Sequence, residues 1–324
     1  MGRVDKAAME KFAAELKNWG KWGPDDELGT LNYISPGAIV EAASLVKRGR
    51  VFSLAIPFDT GGPQFGERGR INPVRNMIMT GTDAAAGKQD DLKIRYADDQ
   101  VTMPTQCATH WDALGHIFYE YSDEQGQRKT VMWNGYPSTL VGCNGAEKCG
   151  IEKTRDRMVG RGVLLDIARF KGCDSLEDGY GITVEELDGC ARDQNVEIKQ
   201  GDFLLIRTGQ LGKCLKAGSW GGYAGGDAPG LEFETLSWLH AKEIAAVASD
   251  TWGVEVRPNR TEEYMQPWHW IVIPIMGLTH GEMFNLDELA EDCARDGRYE
   301  FLLVAPTLPF TKGVGSPVNP LAIK

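Results

Sequence analysis

Apolar residues recur at helical spacing in several places along the chain. Ala8, Met9, Phe12, Ala13 and Leu16 follow a 3.6-residue period, which predicts a short amphipathic helix over residues 6–18. Ser35 followed by Pro36 is an N-cap residue with proline at the first helical position, and Ala38, Ile39, Ala42, Ala43 and Val46 form the expected buried stripe of a second helix that Gly49 ends. Thr183 and Glu186 have the spacing of a capping box and open a helix to residue 193. Residues 233–242, which carry His240, and residues 285–296, with Leu286, Leu289 and Ala290 facing inward, also read as helices. Between these patterns lie continuous apolar runs at 159–167, 203–209, 244–249 and 299–306, the pattern of strands buried on both faces. Shorter strands are expected at 51–58, 75–80, 92–97, 100–103 and 115–121, while 59–74, 142–152, 215–230 and 311–320 read as loops. Long loops within a compact domain often carry function. Helical patterns mixed with buried-type strands make the chain α/β. It shows no repeat, low-complexity tract or linker, so one body is expected over residues 51–324, with an N-terminal helical arm, residues 1–50, packed on it.

Composition narrows the partners. The 324 residues are 42% hydrophobic and 25% charged, ordinary for a globular protein with a core, and the net charge of −11 argues against a nucleic-acid surface, which must neutralise phosphates. The first residues carry charges throughout and no apolar secretory segment, and no apolar run reaches membrane-spanning length. A cytoplasmic protein with no membrane partner is the expectation. The seven cysteines form no C-x-x-C pair and read as free thiols of a reducing compartment.

The chemistry gathers in Gln106-Cys107-Ala108-Thr109-His110-Trp111-Asp112-Ala113-Leu114-Gly115-His116. His110 and Asp112 are two residues apart, so on an extended segment they point to one face and can offer an imidazole nitrogen and a carboxylate oxygen to one divalent ion, zinc or manganese. His116 just beyond is placed to carry a proton. Cys107 with His110 or His116 as base is an alternative nucleophile. His240, on a helix, reads as structural. His280 and Glu282 repeat the imidazole–carboxylate spacing, and a catalytic metal site needs about three protein ligands. Glu282 with either His269 or His280 can complete the set, and the residues leave that choice open. Trp19 and Trp22, in a turn-rich loop, either pack the arm or wall a pocket or subunit contact.

The chain resembles the cyclase family of metal-dependent hydrolases, which includes bacterial kynurenine formamidase and isatin hydrolase. The family motif H-x-G-T-H-x-D-x-P-x-H is matched at Thr109, His110, Asp112 and His116. Arg207-Thr208-Gly209, Ala248-Ser249-Asp250-Thr251 with Val254-Glu255, and the stretch from Gly313 to Pro320 are also similar to family members. The N-terminal Trp22-Gly23-Pro24-Asp25-Asp26-Glu27-Leu28-Gly29-Thr30-Leu31-Asn32 resembles a longer subgroup. The resemblance implies a single-domain cyclase-type fold with a β-rich swivelling-type core and peripheral helices, a catalytic domain over residues 51–324, and a homodimer or homotetramer. It implies hydrolysis of an amide, lactam or lactone in a small, cyclic or aromatic substrate. His116 would be the general acid/base, His110, Asp112, Gln106, His269 and Glu282 the ligands of Zn2+ or Mn2+, and Trp111 and Trp22 substrate contacts. The sequence departs from the motif at Ala108, at Leu114 and above all at Gln106, which offers a carbonyl oxygen where the family has an imidazole. Two further readings stay open: a lyase, isomerase or dehydratase at the same site, and a metal-free binding protein.

Overall fold

The long apolar runs become neighbouring strands at the middle of one sheet. In the computed structural model, which describes residues 4–324, nine strands form this sheet: β1 (Val51–Ser53), β2 (His110–Asp112), β3 (Val159–Asp166), β4 (Phe203–Arg207), β5 (Ala246–Ser249), β6 (Thr279–Glu282), β7 (Glu300–Val304), β8 (Gly315–Pro317) and β9 (Leu321–Ile323). Their order is β1-β9-β7-β3-β4-β5-β6-β2-β8. β3, β4, β5 and β6 run parallel, and the strands outside this block pair antiparallel. The period of two along a strand divides each run between two cores. Val163, Leu165, Leu204, Ile206 and Val247 enter one apolar cluster, while Leu164, Phe203, Leu205, Ala246 and Ala248 enter the other. The result is a mixed α/β single domain.

The helices of six or more residues are α1 (Lys6–Glu15), α2 (Pro36–Ser44), α3 (Val184–Asp193), α4 (Gln210–Ala217), α5 (Thr235–Lys242), α6 (Pro267–Val272) and α7 (Asp287–Asp296). The capping box at Thr183 and Glu186 forms as the spacing predicts. The N-terminal arm lies on the body: Asn18 N–H donates to the Ile275 carbonyl at 3.1 Å and Trp19 Nε1 to the Pro274 carbonyl at 2.7 Å.

Several expectations are corrected. The stripe on α2 buries only Ala42, and Ile39 and Val40 are exposed, although the helix lies against β3 and β7 inside the sheet. Residues 92–97 form no strand. The segment follows a short helix, Gly81–Ala85, and a 3-10 turn, Asp90–Leu92. Helix α4 occupies part of the expected 215–230 loop, and β8 stands within the expected C-terminal loop. Neither has a strong local signal. α4 starts after Gly209 in a left-handed conformation (φ 83°), and β8, Gly-Ser-Pro, is extended through its pairing with β2.

Candidate metal centre

The H-x-D motif is strand β2, and its neighbour across the sheet is the H-x-E pair of β6. Glu282 pairs with His110 and Gly281 with Trp111 in antiparallel register. The alternation therefore sends His110, Asp112, His280 and Glu282 to one face and Trp111 and Gly281 to the other. His280 Nε2 lies 3.2 Å from Asp112 Oδ2 and 3.3 Å from Glu282 Oε1, and His110 Nε2 lies 3.4 Å from both Asp112 Oδ1 and Glu282 Oε2. His269 reaches the same point from α6, with Nε2 3.4 Å from Glu282 Oε1 and its ring edge-on to His280, centroids 4.4 Å apart. His269 and His280 therefore both join the group. His116, in the turn beyond β2, places Nε2 3.8 Å from Asp112 Oδ1 and keeps 19% of its side chain exposed. Thr109 locks the strand in place, donating to the Met283 carbonyl at 2.6 Å and accepting from Ile56 N–H at 3.0 Å.

Donor atoms of Asp112, His269, His280 and Glu282 all lie within 4.8 Å of one another and are buried. His110 Nε2, Asp112 Oδ1 and His280 Nδ1 are buried without a hydrogen-bond partner. Leaving such atoms unsatisfied costs about 1–3 kcal/mol each, and a cation among the first two would satisfy them. The tautomers also suit ligation. His110 Nδ1 donates to the Ala108 carbonyl at 2.7 Å, which leaves the lone pair on Nε2. His269 Nδ1 donates to Glu255, whose carboxylate also accepts the N–H groups of Trp268 (3.3 Å) and His269 (3.2 Å) at the start of α6. The donor set fits a divalent metal ion.

The charges are strongly coupled. Burial works against ionised Glu282, but hydrogen bonds from His269 and His280 bring it down to about 2. Burial likewise opposes ionised Asp112, yet the neighbouring histidines hold it well below the usual carboxylate range. Burial pulls His269 down, and the Glu255 hydrogen bond and charge more than reverse this, lifting it to about 10. At His110 burial is again opposed and outweighed, here by Asp112 and Glu282, and the net shift is upward. At His116 burial wins over the Asp112 charge, and its pKa falls below the ordinary value.

Some expected site residues lie elsewhere. Trp111 is fully buried on the opposite face, against Phe284 (5.0 Å) and Phe203 (6.4 Å), with Nε1 bonded to the Ala305 carbonyl, so it is a core residue and not a substrate contact. Trp22 packs edge-on against Tyr33 of the arm at 5.1 Å and near Trp133 of the body at 6.1 Å. Gln106 lies beside the site. Its amide accepts from Thr105 Oγ1 at 2.9 Å and donates to the Val314 carbonyl at 3.3 Å, so both its ends have protein partners. Gly315, paired with Asp112, makes the room for it: a Cβ there would stand 2.5 Å from Gln106 Nε2. The Cys107 thiol is buried, which raises it to about 11 and disfavours the nucleophilic thiolate. His240 bonds Asn18 Oδ1 at 3.1 Å, a structural contact. The Arg-Thr-Gly and Ser-Asp-Thr segments meet each other. Asp250 accepts from Thr208 N–H and Gly209 N–H, each at 2.7 Å, and ties the ends of β4 and β5 together.

Glu255 behind His269 had no role assigned from the sequence, and its spacing to His269 carries no local signal. A third apolar cluster adjoins the motif, with Cys107 and Ala108 packed among Ile56, Tyr223, Trp252 and Met283.

Comparison with known proteins places this geometry. The family described as "Putative cyclase" matches residues 52–256. The crystal structure of a novel cyclase is 40% identical, covers 95% of this chain and 100% of its own, and superposes with a TM-score of 0.84. Isatin hydrolase A from Ralstonia solanacearum is 17% identical, covering 90% of this chain and 98% of its own with a TM-score of 0.62. Isatin hydrolase A from Labrenzia aggregata, bound to benzyl benzoate, is 18% identical, covering 87% and 94% with a TM-score of 0.59. At these identities the two hydrolases show a shared fold. No curated protein matches the chain.

Proposed function

The chain belongs to the cyclase family, and on that premise we propose that it is a metal-dependent hydrolase that cleaves an amide, lactam or lactone bond in a small cyclic or aromatic substrate. The observation that carries this reading is the buried convergence of Asp112, His269, His280 and Glu282, with His110 Nε2 and Asp112 Oδ1 lacking hydrogen-bond partners beside it. A divalent ion held there, zinc or manganese, supplies Lewis acidity that polarises a carbonyl and lowers the pKa of water.

The remaining work falls to the chain. His116 is neutral near pH 7 because burial lowers its pKa, and its partly exposed ring stands beside Asp112. Its Nε2 takes a proton from the attacking water and returns it to the leaving nitrogen or oxygen. Asp112 keeps that imidazole close to the reacting centre. The cluster that contains Trp252, Tyr223 and Ile56, with Phe58 and Met103 packed against it, gives an apolar wall suited to a ring. The fold shared with isatin hydrolases, whose substrate is a cyclic amide by name, supports the same substrate class.

The test is metal analysis of the purified protein and of Asp112→Ala, followed by hydrolysis assays on formanilides, isatins and lactones. Stoichiometric zinc or manganese in the wild type, lost in the variant together with turnover, supports the reading. A wild type that takes up no metal after supplementation ends it.

We also propose a homodimer or homotetramer in a reducing cytoplasm. Strands Val74–Met79 and Asp98–Thr102 pair as a hairpin that leaves Met77, Ile78 and Val101 exposed, and an isolated two-stranded hairpin is marginal in water. All seven cysteines are free, and no helix among the described residues is long and apolar enough to cross a membrane. A monomer mass by light scattering at micromolar concentration would sink the oligomer.

A further inference from the structure

The ligating side of His269 has a further polar side chain beside it. Gln266 Nε2 lies 3.5 Å from His269 Nε2, and among the described residues this is the only hydrogen bond its side chain makes. His269 Nε2 is the nitrogen left for a metal, because Nδ1 is committed to Glu255. A ligated nitrogen accepts no hydrogen bond, which leaves the Gln266 amide N–H without a protein acceptor.

The fold fixes this amide in place. Gln266, just before Pro267 at the start of α6, adopts the left-handed conformation (φ 55°, ψ 57°), which is uncommon outside glycine and persists where neighbours hold it. Its backbone N–H donates to Asn259 Oδ1 at 2.9 Å, and Asn259 Nδ2 donates to Glu255 Oε2 at 2.7 Å. One carboxylate thus orients His269 directly and Gln266 through Asn259. Gly253 supplies the space: a Cβ there would stand 3.2 Å from Gln266 Nε2 and 4.0 Å from His269 Cε1. Gly253 follows Trp252, a member of the apolar wall. His110, Asp112, His269, His280 and Glu282 are buried, whereas His116 and Gln266 are half-buried, so these two mark the side from which a substrate can arrive.

We propose that Gln266 is a further catalytic residue, whose side-chain N–H donates to the carbonyl oxygen of the bond being cleaved. As water adds to the carbonyl carbon, the C=O electron pair moves onto oxygen, and a donor aimed at that oxygen holds the charge that gathers there. Ionised Asp112 and Glu282 can only accept, and neutral His116 takes the proton of the water, so none of the three supplies that donor. When the carbonyl re-forms, the C–N or C–O bond breaks and His116 returns the proton to the leaving atom. A carboxamide suits the place because it donates without charge and without titrating among strongly coupled neighbours. The assignment rests on the hydrolase reading.

The test uses the zinc-supplemented full chain, wild type, Gln266→Met and Gln266→Glu, two variants of similar length that lack the N–H donor. Zinc content and melting temperature are measured on each. Turnover is followed on isatin and formanilide, and binding is titrated calorimetrically with phenyl trifluoromethyl ketone, whose tetrahedral hydrate mimics the attacked carbonyl. Both variants should keep the zinc and the melting temperature of the wild type. Their kcat should fall about 10²- to 10³-fold with KM little changed, the loss of one donor to a developing oxyanion, and the ketone should bind roughly 10²-fold more weakly. Wild-type turnover in either variant, equal ketone affinity in all three proteins, or loss of zinc on substitution would overturn the proposal, the last by making Gln266 a part of the metal site. A wild type that hydrolyses neither probe, while the variants still lose ketone affinity, would count against the hydrolase reading and leave the carbonyl contact standing.

Discussion

His110 and Glu282 stand directly opposite each other on antiparallel strands, with Nε2 and Oε2 3.4 Å apart. One hydrogen-bonded register thus converts two local patterns, H-x-D and H-x-E, into a single four-residue face. His269 is added from a helix that begins between those two segments in sequence and is oriented by Glu255. The site is therefore as rigid as the sheet that carries it, and each member can be tested separately.

Asp112 touches three of the histidines and belongs to the four-donor group. Asp112→Asn keeps the shape and removes the charge. Metal affinity should fall by on the order of 100-fold or more, at or above the 10- to 100-fold typical of groups that stand behind a ligand. Competition with a chelator of known affinity measures it.

His269 is lifted to about 10 by Glu255 and Glu282 without a metal, so near pH 7 it carries a proton that an incoming ion must displace. A group whose metal-free pKa lies above the working pH opposes binding more as the pH falls. Apparent metal affinity should therefore rise with pH, by about tenfold per unit while one such proton is displaced. Calorimetry in buffers of different ionisation enthalpy should register the released proton.

His116→Gln should retain the metal, because His116 lies outside the four-donor group. Turnover should fall by roughly 10²- to 10⁴-fold, the usual worth of a positioned acid–base group. The acidic limb of the wild-type pH profile should lie below the ordinary histidine value, since burial lowers this pKa, and the variant should lose that limb. A variant that keeps full turnover would remove His116 from the mechanism.

Trp111 lies between the site residues in sequence and faces away from them. Trp111→Ala should cost about 3–5 kcal/mol of stability, as large-to-small changes in a packed core do, measured by denaturant unfolding. Trp111→Phe should keep KM near that of the wild type. A selective rise in KM without loss of stability would return Trp111 to the pocket.

Much of this protein is written in local patterns. The spacing of His110 and Asp112 sets both on one face because a strand alternates every residue, and that requires no knowledge of the rest of the chain. The capping box at Thr183 and Glu186 closes within one turn, and the apolar runs of β3, β4 and β5 announce burial on both faces. By contrast, α4 begins at a left-handed glycine instead of a side-chain cap, and β8 contains glycine and proline, so propensity indicates neither.

The sequence by itself determined the α/β class, the long central strands, the H-x-D face and the two candidate distal histidines. Only the tertiary structure decided that His269 and His280 both join the buried donor group, that Glu255 stands behind one of them, and that Trp111 belongs to the core. The physical reason is range. Periodicity and capping act over a few residues, whereas these decisions depend on strand register and loop closure between segments far apart in the chain. Only the folded backbone brings those segments within reach of one another.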